Sequence, residues 1–99
     1  AWALALANEA YAIVRSDLAA RGRSGDDAIF RMHVVDGLTY AQIAAAAGLS
    51  EPECLNTTRR VSSALRAAGR ELLREEGVPE SELDAAIDEV LAIMERRDE

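Results

Sequence analysis

The sequence predicts an all-α fold of about five helices around a helix-turn-helix, and three observations lead to this prediction. Helix-forming Ala, Leu, Arg and Glu dominate the 99 residues, whereas β-branched residues are sparse. Apolar residues recur at helical spacing in successive stretches. Capping residues and glycines separate those stretches. The length suits one compact domain over residues 1–99.

Two helices are predicted ahead of the central motif. The first spans residues 2–21, and its apolar stripe is Leu6, Ala10, Ile13, Val14 and Leu18. Ser24 is predicted to cap the second helix, which runs to about Asp36 and has Gly37 as its C-cap. We expect the second helix to supply the core with Ile29, Phe30, Met32 (or His33) and Val34.

A short third helix and a tight turn follow. Thr39 and Gln42 have the T-x-x-Q spacing of a capping box, which predicts that the helix begins there. Its inward-facing residues are predicted to be Tyr40, Ile43, Ala44 and Ala47. Gly48 permits the left-handed conformation that a tight turn between helices needs, and Leu49 is predicted to fill the corner.

A long fourth helix is predicted from a second capping box, Ser50 with Glu53, to about Glu76. Successive residues step about 100° around a helix, so one narrow face holds four predicted core residues: Cys54, Thr58, Val61 and Leu65. The opposite face holds the candidate DNA-binding residues: Pro52, Asn56, Arg59, Arg60 and Ser63, with Glu53 at its edge. Arg reaches phosphates or guanine, Asn pairs with adenine, and Glu accepts from cytosine. The third and fourth helices thus predict a helix-turn-helix over about residues 39–67, with the fourth as recognition helix.

A fifth, acidic helix is predicted over about residues 79–97, where the apolar residues at helical spacing are Leu83, Ile87, Val90, Leu91 and Met94. The net charge of −7 argues against a DNA-binding protein. The charge is uneven, however, because residues 75–99 carry −8 and residues 49–74 carry +2. We interpret the fifth helix as a solvated amphipathic helix. We interpret the later arginines of the fourth helix as a solvated face paired along the same helix: Arg66, Arg70 and Arg74 with Glu71 and Glu75.

The central run from Gly37 to Ser50 reads G-L-T-Y-A-Q-I-A-A-A-A-G-L-S. With this run intact, residues 30–76 resemble region 4 of the bacterial RNA polymerase sigma factors, especially the extracytoplasmic-function group. The Arg59-Arg60 pair and the later R-E-L-L-R-E-E stretch extend the resemblance. The Ala/Leu-rich first helix and the acidic last helix resemble more loosely the extra helices of some members.

The resemblance implies two binding surfaces. The recognition helix would enter the major groove of the upstream (−35) promoter element in double-stranded DNA, and the preceding helices would bind the flap of the RNA polymerase β subunit. An anti-sigma factor is a further implied partner. Members usually place Lys or Arg where this chain has Leu55 and Thr57, and often continue with a basic run where it has Ser62, Ser63 and Ala64. Each missing phosphate contact lowers affinity and its salt dependence, so we expect weak or partner-dependent binding.

Two alternatives stay open. The first is a sigma-like adaptor that binds polymerase or an anti-sigma factor without reading DNA. The second is a helix-turn-helix regulator of the response-regulator output type, although Tyr40 and the long Arg-bearing fourth helix favour the sigma resemblance. Because the chain starts with Ala1 and lacks the promoter-melting region 2, we expect a fragment of a longer sigma factor.

Other function classes have little support in the sequence. The chain has no paired catalytic carboxylates, no nucleophile with a base and no phosphate-binding Gly loop, so neither an enzyme nor a cofactor is predicted. His33 has no spaced partner for a metal. The single Cys54 is predicted to be a buried structural thiol, and its solitary presence fits a reducing cytoplasm. No apolar run is long enough for a membrane span.

Overall fold

The computed structural model describes the backbone of residues 2–96 and the side chains of residues 4–90 and of Ala92. Five helices and no strands form this part of the chain, which confirms the all-α prediction: α1 (Trp2–Ala20), α2 (Ser24–Val34), α3 (Tyr40–Ala47), α4 (Glu51–Glu75) and α5 (Glu80–Arg96). Their bounds lie within about two residues of the predicted ones. The side chains of Leu91 and Met94, which we predicted to be apolar contacts of α5, lie outside the described residues.

The chain divides into two compact units. The central unit comprises Arg15–Ser63, and the terminal unit comprises Ala1–Val14 together with Ala64–Glu99. Helix α4 therefore contributes its first half to the central unit and its second half to the terminal unit.

The core of the central unit joins three helices. Ile29 of α2, Ile43 of α3 and Cys54 of α4 form one buried cluster, against which pack the half-buried Met32, Leu38, Tyr40 and Ala44. His33 stacks on Tyr40 with ring centroids 4.3 Å apart, and its Nδ1 lies 2.9 Å from the carbonyl oxygen of Leu38. These contacts attach α2 to the loop and helix that follow it, and they give His33 a structural role.

The buried apolar residues of the terminal unit come from three helices: Leu6, Ala7, Ala10 and Val14 of α1, Leu65 and Leu73 of α4, and Leu83, Ile87 and Val90 of α5. Gly69 lies where α4 and α5 pack closely, because a Cβ atom built on it would stand 2.8 Å from Cδ1 of Ile87. The apolar face predicted for α5 is thus buried as far as it is described.

The ends of α3 follow the predicted signals. The Thr39 hydroxyl accepts from the Gln42 backbone N–H at 3.1 Å, and the Gln42 side chain accepts from the Thr39 N–H at 2.8 Å, which confirms the capping box. Gly48 ends the helix with φ of 71°, the left-handed conformation that a side chain disfavours. In that conformation the N–H groups of Gly48 and Leu49 both donate to the carbonyl of Ala44.

Two predicted core positions outside the turn were wrong. Ile13 is 46% exposed. The buried face of α1 consists of Leu6, Ala7, Ala10 and Val14, and Ile13 lies just outside this face. Ala47, the last residue of α3, is exposed. Leu18 is half-buried.

The predicted ends of α2 and the corner residue also need correction. Arg23, not Ser24, is the N-cap, and it makes no side-chain capping bond; the side chain of Arg23 instead binds Asp26. The helix ends at Val34, before the predicted Asp36, and its C-cap is Val35 and not Gly37. Leu49 is 37% exposed, because the Ile29–Ile43–Cys54 cluster closes without it.

Candidate nucleic-acid interface

The first turn of α4 is anchored by Ser50 and carries negative charge. The backbone N–H of Glu53 donates to the Ser50 hydroxyl at 3.2 Å, which is the Ser50 half of the predicted capping box. Glu51 and Glu53 both lie in this turn. Acids here stabilise the positive end of the helix dipole, and they also repel an approaching phosphate. Phosphate contacts are therefore favoured farther along α4, at the arginines.

The two predicted faces of α4 are correctly placed. All four predicted core residues are buried: Cys54, Thr58, Val61 and Leu65. All six candidate DNA-binding residues are exposed: Pro52, Glu53, Asn56, Arg59, Arg60 and Ser63. Exposure is what a binding face requires, whereas contact with DNA stays a prediction. Thr57, which the sequence interpretation assigned to neither face, is only 6% exposed because it adjoins the buried arc.

The neighbouring arginines Arg59 and Arg60 are in different environments. Arg59 is exposed, and within the described residues it has no ion pair or hydrogen bond. Arg60 donates to the Thr57 hydroxyl at 3.1 Å, and the same nitrogen lies 3.8 Å from Oδ2 of Asp26 on α2. Arg59 is therefore free to move toward a ligand, whereas Arg60 is oriented from two sides.

An open cleft of about 280 Å³ lies beside Arg60 within the central unit. It combines apolar and polar lining: Ile29 and Leu49, with Asp26, Glu53, Asn56, Thr57 and Arg60. Three of the candidate DNA-binding residues, Glu53, Asn56 and Arg60, thus share one concave surface. The exposed Leu49 belongs to this cleft, which gives the turn residue a place on the candidate interface.

The arginines in the second half of α4 are paired with acids of α5, in what we call the ion-pair ladder. Arg66 contacts Asp88 at 2.6 Å, Arg70 contacts Asp84, and Arg74 contacts Glu80 at 2.6 Å and also Glu71. Both helices use a spacing of four residues, so the three pairs repeat along an antiparallel helix pair. The predicted pairing along α4 alone was therefore incomplete: it holds for Arg74 with Glu71, while the cross-helix partners were missed.

The electrostatics of the ladder are clearest at its Arg74 end. The hydrogen bond from Arg74 lowers the pKa of Glu80 below its usual value, and the same bond raises the pKa of Arg74. These arginines are thus bound to carboxylates within the chain. On α4, the candidate interface is therefore limited to the first half of the helix.

The remaining chemistry of the described residues is limited. Cys54 is a free, fully buried thiol, as predicted. Among the residues that the structure describes, no group of three or more His, Cys, Asp and Glu side chains could hold a metal ion. Across the same part of the chain, no helix has the length and apolarity to cross a membrane.

No family model, no curated protein and no solved structure matches the chain. The sigma factor resemblance therefore rests on the residues of the central run and stays a prediction.

Proposed function

We propose that this chain is a helix-turn-helix domain of the sigma region 4 type, which reads the upstream element of promoter DNA for RNA polymerase. One observation carries the proposal. The first half of α4 presents Asn56, Arg59 and Arg60 on an exposed face, while Cys54 on the opposite face is packed against α2 and α3. A helix anchored on one side and polar on the other has the form that enters a major groove.

The side chains on this face have complementary tasks in DNA reading. Arg59, which is free of intramolecular partners in the described structure, suits a phosphate or a guanine edge. Asn56 suits an adenine, and Glu53 suits the amino group of a cytosine. Pro52 and Ser63 mark the two ends of this face, about three helical turns apart.

The charge of the central unit sets the expected strength of binding. Residues 15–63 contain six arginines and six acids, so this unit is formally neutral and the net charge of −7 belongs to the terminal unit. Binding driven by phosphate neutralisation grows with the number of cations that reach the backbone. We therefore expect moderate affinity with a shallow salt dependence, strengthened when polymerase holds the domain on the promoter.

The test is selection from a pool of random duplex DNA at two salt concentrations, with the wild-type chain, Arg59→Ala and a control, Arg21→Ala. Arg21 lies at the end of α1 and pairs with Asp17, so its removal changes the net charge equally. The proposal expects one enriched motif, which Arg59→Ala loses and Arg21→Ala retains. Absence of an enriched motif from a folded wild-type chain, at low salt and with polymerase core added, would contradict it.

A second candidate is a sigma-like adaptor that binds the polymerase β flap or an anti-sigma factor without reading DNA. This second candidate is favoured by the neutral charge of the central unit and by the two acids at the start of α4. The same selection separates the candidates, because an adaptor gives no enriched motif yet co-purifies with polymerase core in a direct binding assay.

A further inference from the structure

Asp26 of α2 lies between two arginines of the central unit. Its Oδ2 atom accepts from Nε of Arg23 at 3.0 Å and lies 3.8 Å from the terminal nitrogen of Arg60. The side chain of Asp26 is only 18% exposed, whereas that of Arg60 is 53% exposed. A mostly buried carboxylate therefore lies near one nitrogen of a guanidinium that is about half exposed.

Thr57 supports Arg60 from the same helix. Its hydroxyl accepts from the terminal nitrogen of Arg60 at 3.1 Å, and Thr57 itself is 6% exposed. The side chain of Arg60 thus has two contacts through the same nitrogen, a hydrogen bond within its own helix and a longer charge contact with α2. The hydrogen bond to Thr57 uses one of the two N–H groups of this nitrogen, so the other stays available to a ligand. Arg pays a large entropy cost when a free side chain is ordered at an interface, and earlier ordering removes part of that cost.

We propose that Asp26 is a positioning residue that orients Arg60 for bidentate recognition of a guanine. This inference rests on the proposed function, and it assigns different roles to the two adjacent arginines. Arg59 contributes adaptable contacts. Arg60 contributes base discrimination, because two parallel hydrogen bonds to the guanine O6 and N7 atoms require a fixed guanidinium plane.

The charge of Asp26 makes the inference testable. A carboxylate near DNA repels phosphates, so its removal should leave non-specific affinity unchanged or higher. Removal of an orienting contact should lower discrimination at one base pair. A purely structural role would lower both together. A purely electrostatic role would raise non-specific affinity and leave discrimination unchanged, because phosphate repulsion is the same for every sequence.

The experiment compares Asp26→Asn with Asp27→Asn in the full chain. Both residues lie in the first turn of α2, but Asp27 pairs with Arg15 at 3.6 Å. Affinity is measured on the duplex selected by the wild-type chain, on the same duplex with each base pair replaced, and on unrelated duplex. We expect Asp26→Asn to lose about tenfold in discrimination at a single G·C pair. We expect Asp27→Asn to keep that discrimination. Circular dichroism checks that both variants are folded.

Arg60→Ala completes a double-mutant cycle. In its background Asp26→Asn should have no further effect on discrimination, because the oriented group is gone. The inference would be overturned if the losses of discrimination from the two substitutions were additive, or if Asp26→Asn kept the wild-type discrimination. In either case an enriched motif would still support the proposed function. If the wild-type chain enriches no motif, the proposed function and this inference fail together.

Discussion

The two halves of α4 use arginine for different purposes. In the first half, Arg59 has no partner among the described residues and Arg60 is held at the surface by Thr57 and Asp26. In the second half, three arginines repeat at a spacing of four and each contacts an acid of α5: Arg66, Arg70 and Arg74. The number of arginines on a helix therefore says little about nucleic-acid binding until their intramolecular partners are known.

For the same reason, the net charge of the chain is a poor guide to nucleic-acid binding. The acids that make the chain strongly negative are concentrated in α5 and its surroundings, and three of them are paired in the ion-pair ladder. Exposed ion pairs contribute little to stability individually. They do give each of the three arginines an intramolecular partner of opposite charge.

The buried faces of the two halves also differ. The first half buries Cys54, Thr57, Thr58 and the β-branched Val61, and the second half buries the larger Leu65 and Leu73. Small and hydroxylated residues bury less apolar surface than leucines do, so each contributes less free energy. We therefore expect the largest losses of stability from substitutions in the second half.

Leu73→Ala, in the second half of α4, is expected to have the largest effect on stability. Leu73 is fully buried in the terminal unit, and its truncation should lower the free energy of unfolding by about 2–5 kcal/mol through lost burial and a cavity. Urea unfolding measures the change. Leu4→Ala is the matched control, since Leu4 is 39% exposed and should cost within roughly 0.5 kcal/mol. Equal losses in both variants would contradict the burial difference.

The adjacent threonines of the first half should respond in opposite directions. Among the residues that the structure describes, none is a hydrogen-bond partner of the buried Thr58 hydroxyl, so Thr58→Val should raise the free energy of unfolding by about 1 kcal/mol. The hydroxyl of Thr57 accepts from Arg60, so Thr57→Val should lower it by about 0.5–1.5 kcal/mol. Both substitutions preserve side-chain shape, and thermal unfolding monitored by circular dichroism compares them. Changes of the same sign would argue against the hydrogen-bond assignment.

The ion-pair ladder predicts the smallest effect, a change in the pH dependence of stability. The hydrogen bond from Arg74 lowers the pKa of Glu80 from its ordinary value of 4.5. A carboxyl whose pKa is lower in the folded than in the unfolded state stabilises the folded state at pH values above its unfolded-state pKa. This contribution is lost as the pH falls through the folded-state pKa. Unfolding midpoints between neutral pH and about pH 3 should thus fall less steeply in Glu80→Gln than in the wild-type chain.

Glu82→Gln is the control for that measurement. Glu82 lies in the same first turn of α5 but outside the ladder, so its substitution should leave the wild-type slope in place. If both variants change the slope equally, the pH dependence belongs to the general acidity of α5 and not to the pair with Arg74.

The helices and their caps could be predicted from the sequence because their signals are local. Thr39 with Gln42 and the glycine at position 48 fix the ends of α3 through contacts within a few residues. The two faces of α4 follow equally from its repeat. The partners of its arginines do not, because Asp26 and the acids of α5 lie far from them in sequence. The exposure of Ile13 has the same origin, since only packing decides where a buried arc is centred.

We propose that the first half of α4 reads DNA, whereas the arginines of its second half pair with acids of α5. The most direct test compares Arg59→Ala/Arg60→Ala with Arg66→Ala/Arg70→Ala on the duplex that the wild-type chain selects. Both double variants remove two positive charges, and circular dichroism confirms that each is folded. We expect affinity to fall roughly 10- to 100-fold in the first double variant and less than about threefold in the second. Equal losses, or a larger loss in the second variant, would contradict this proposal.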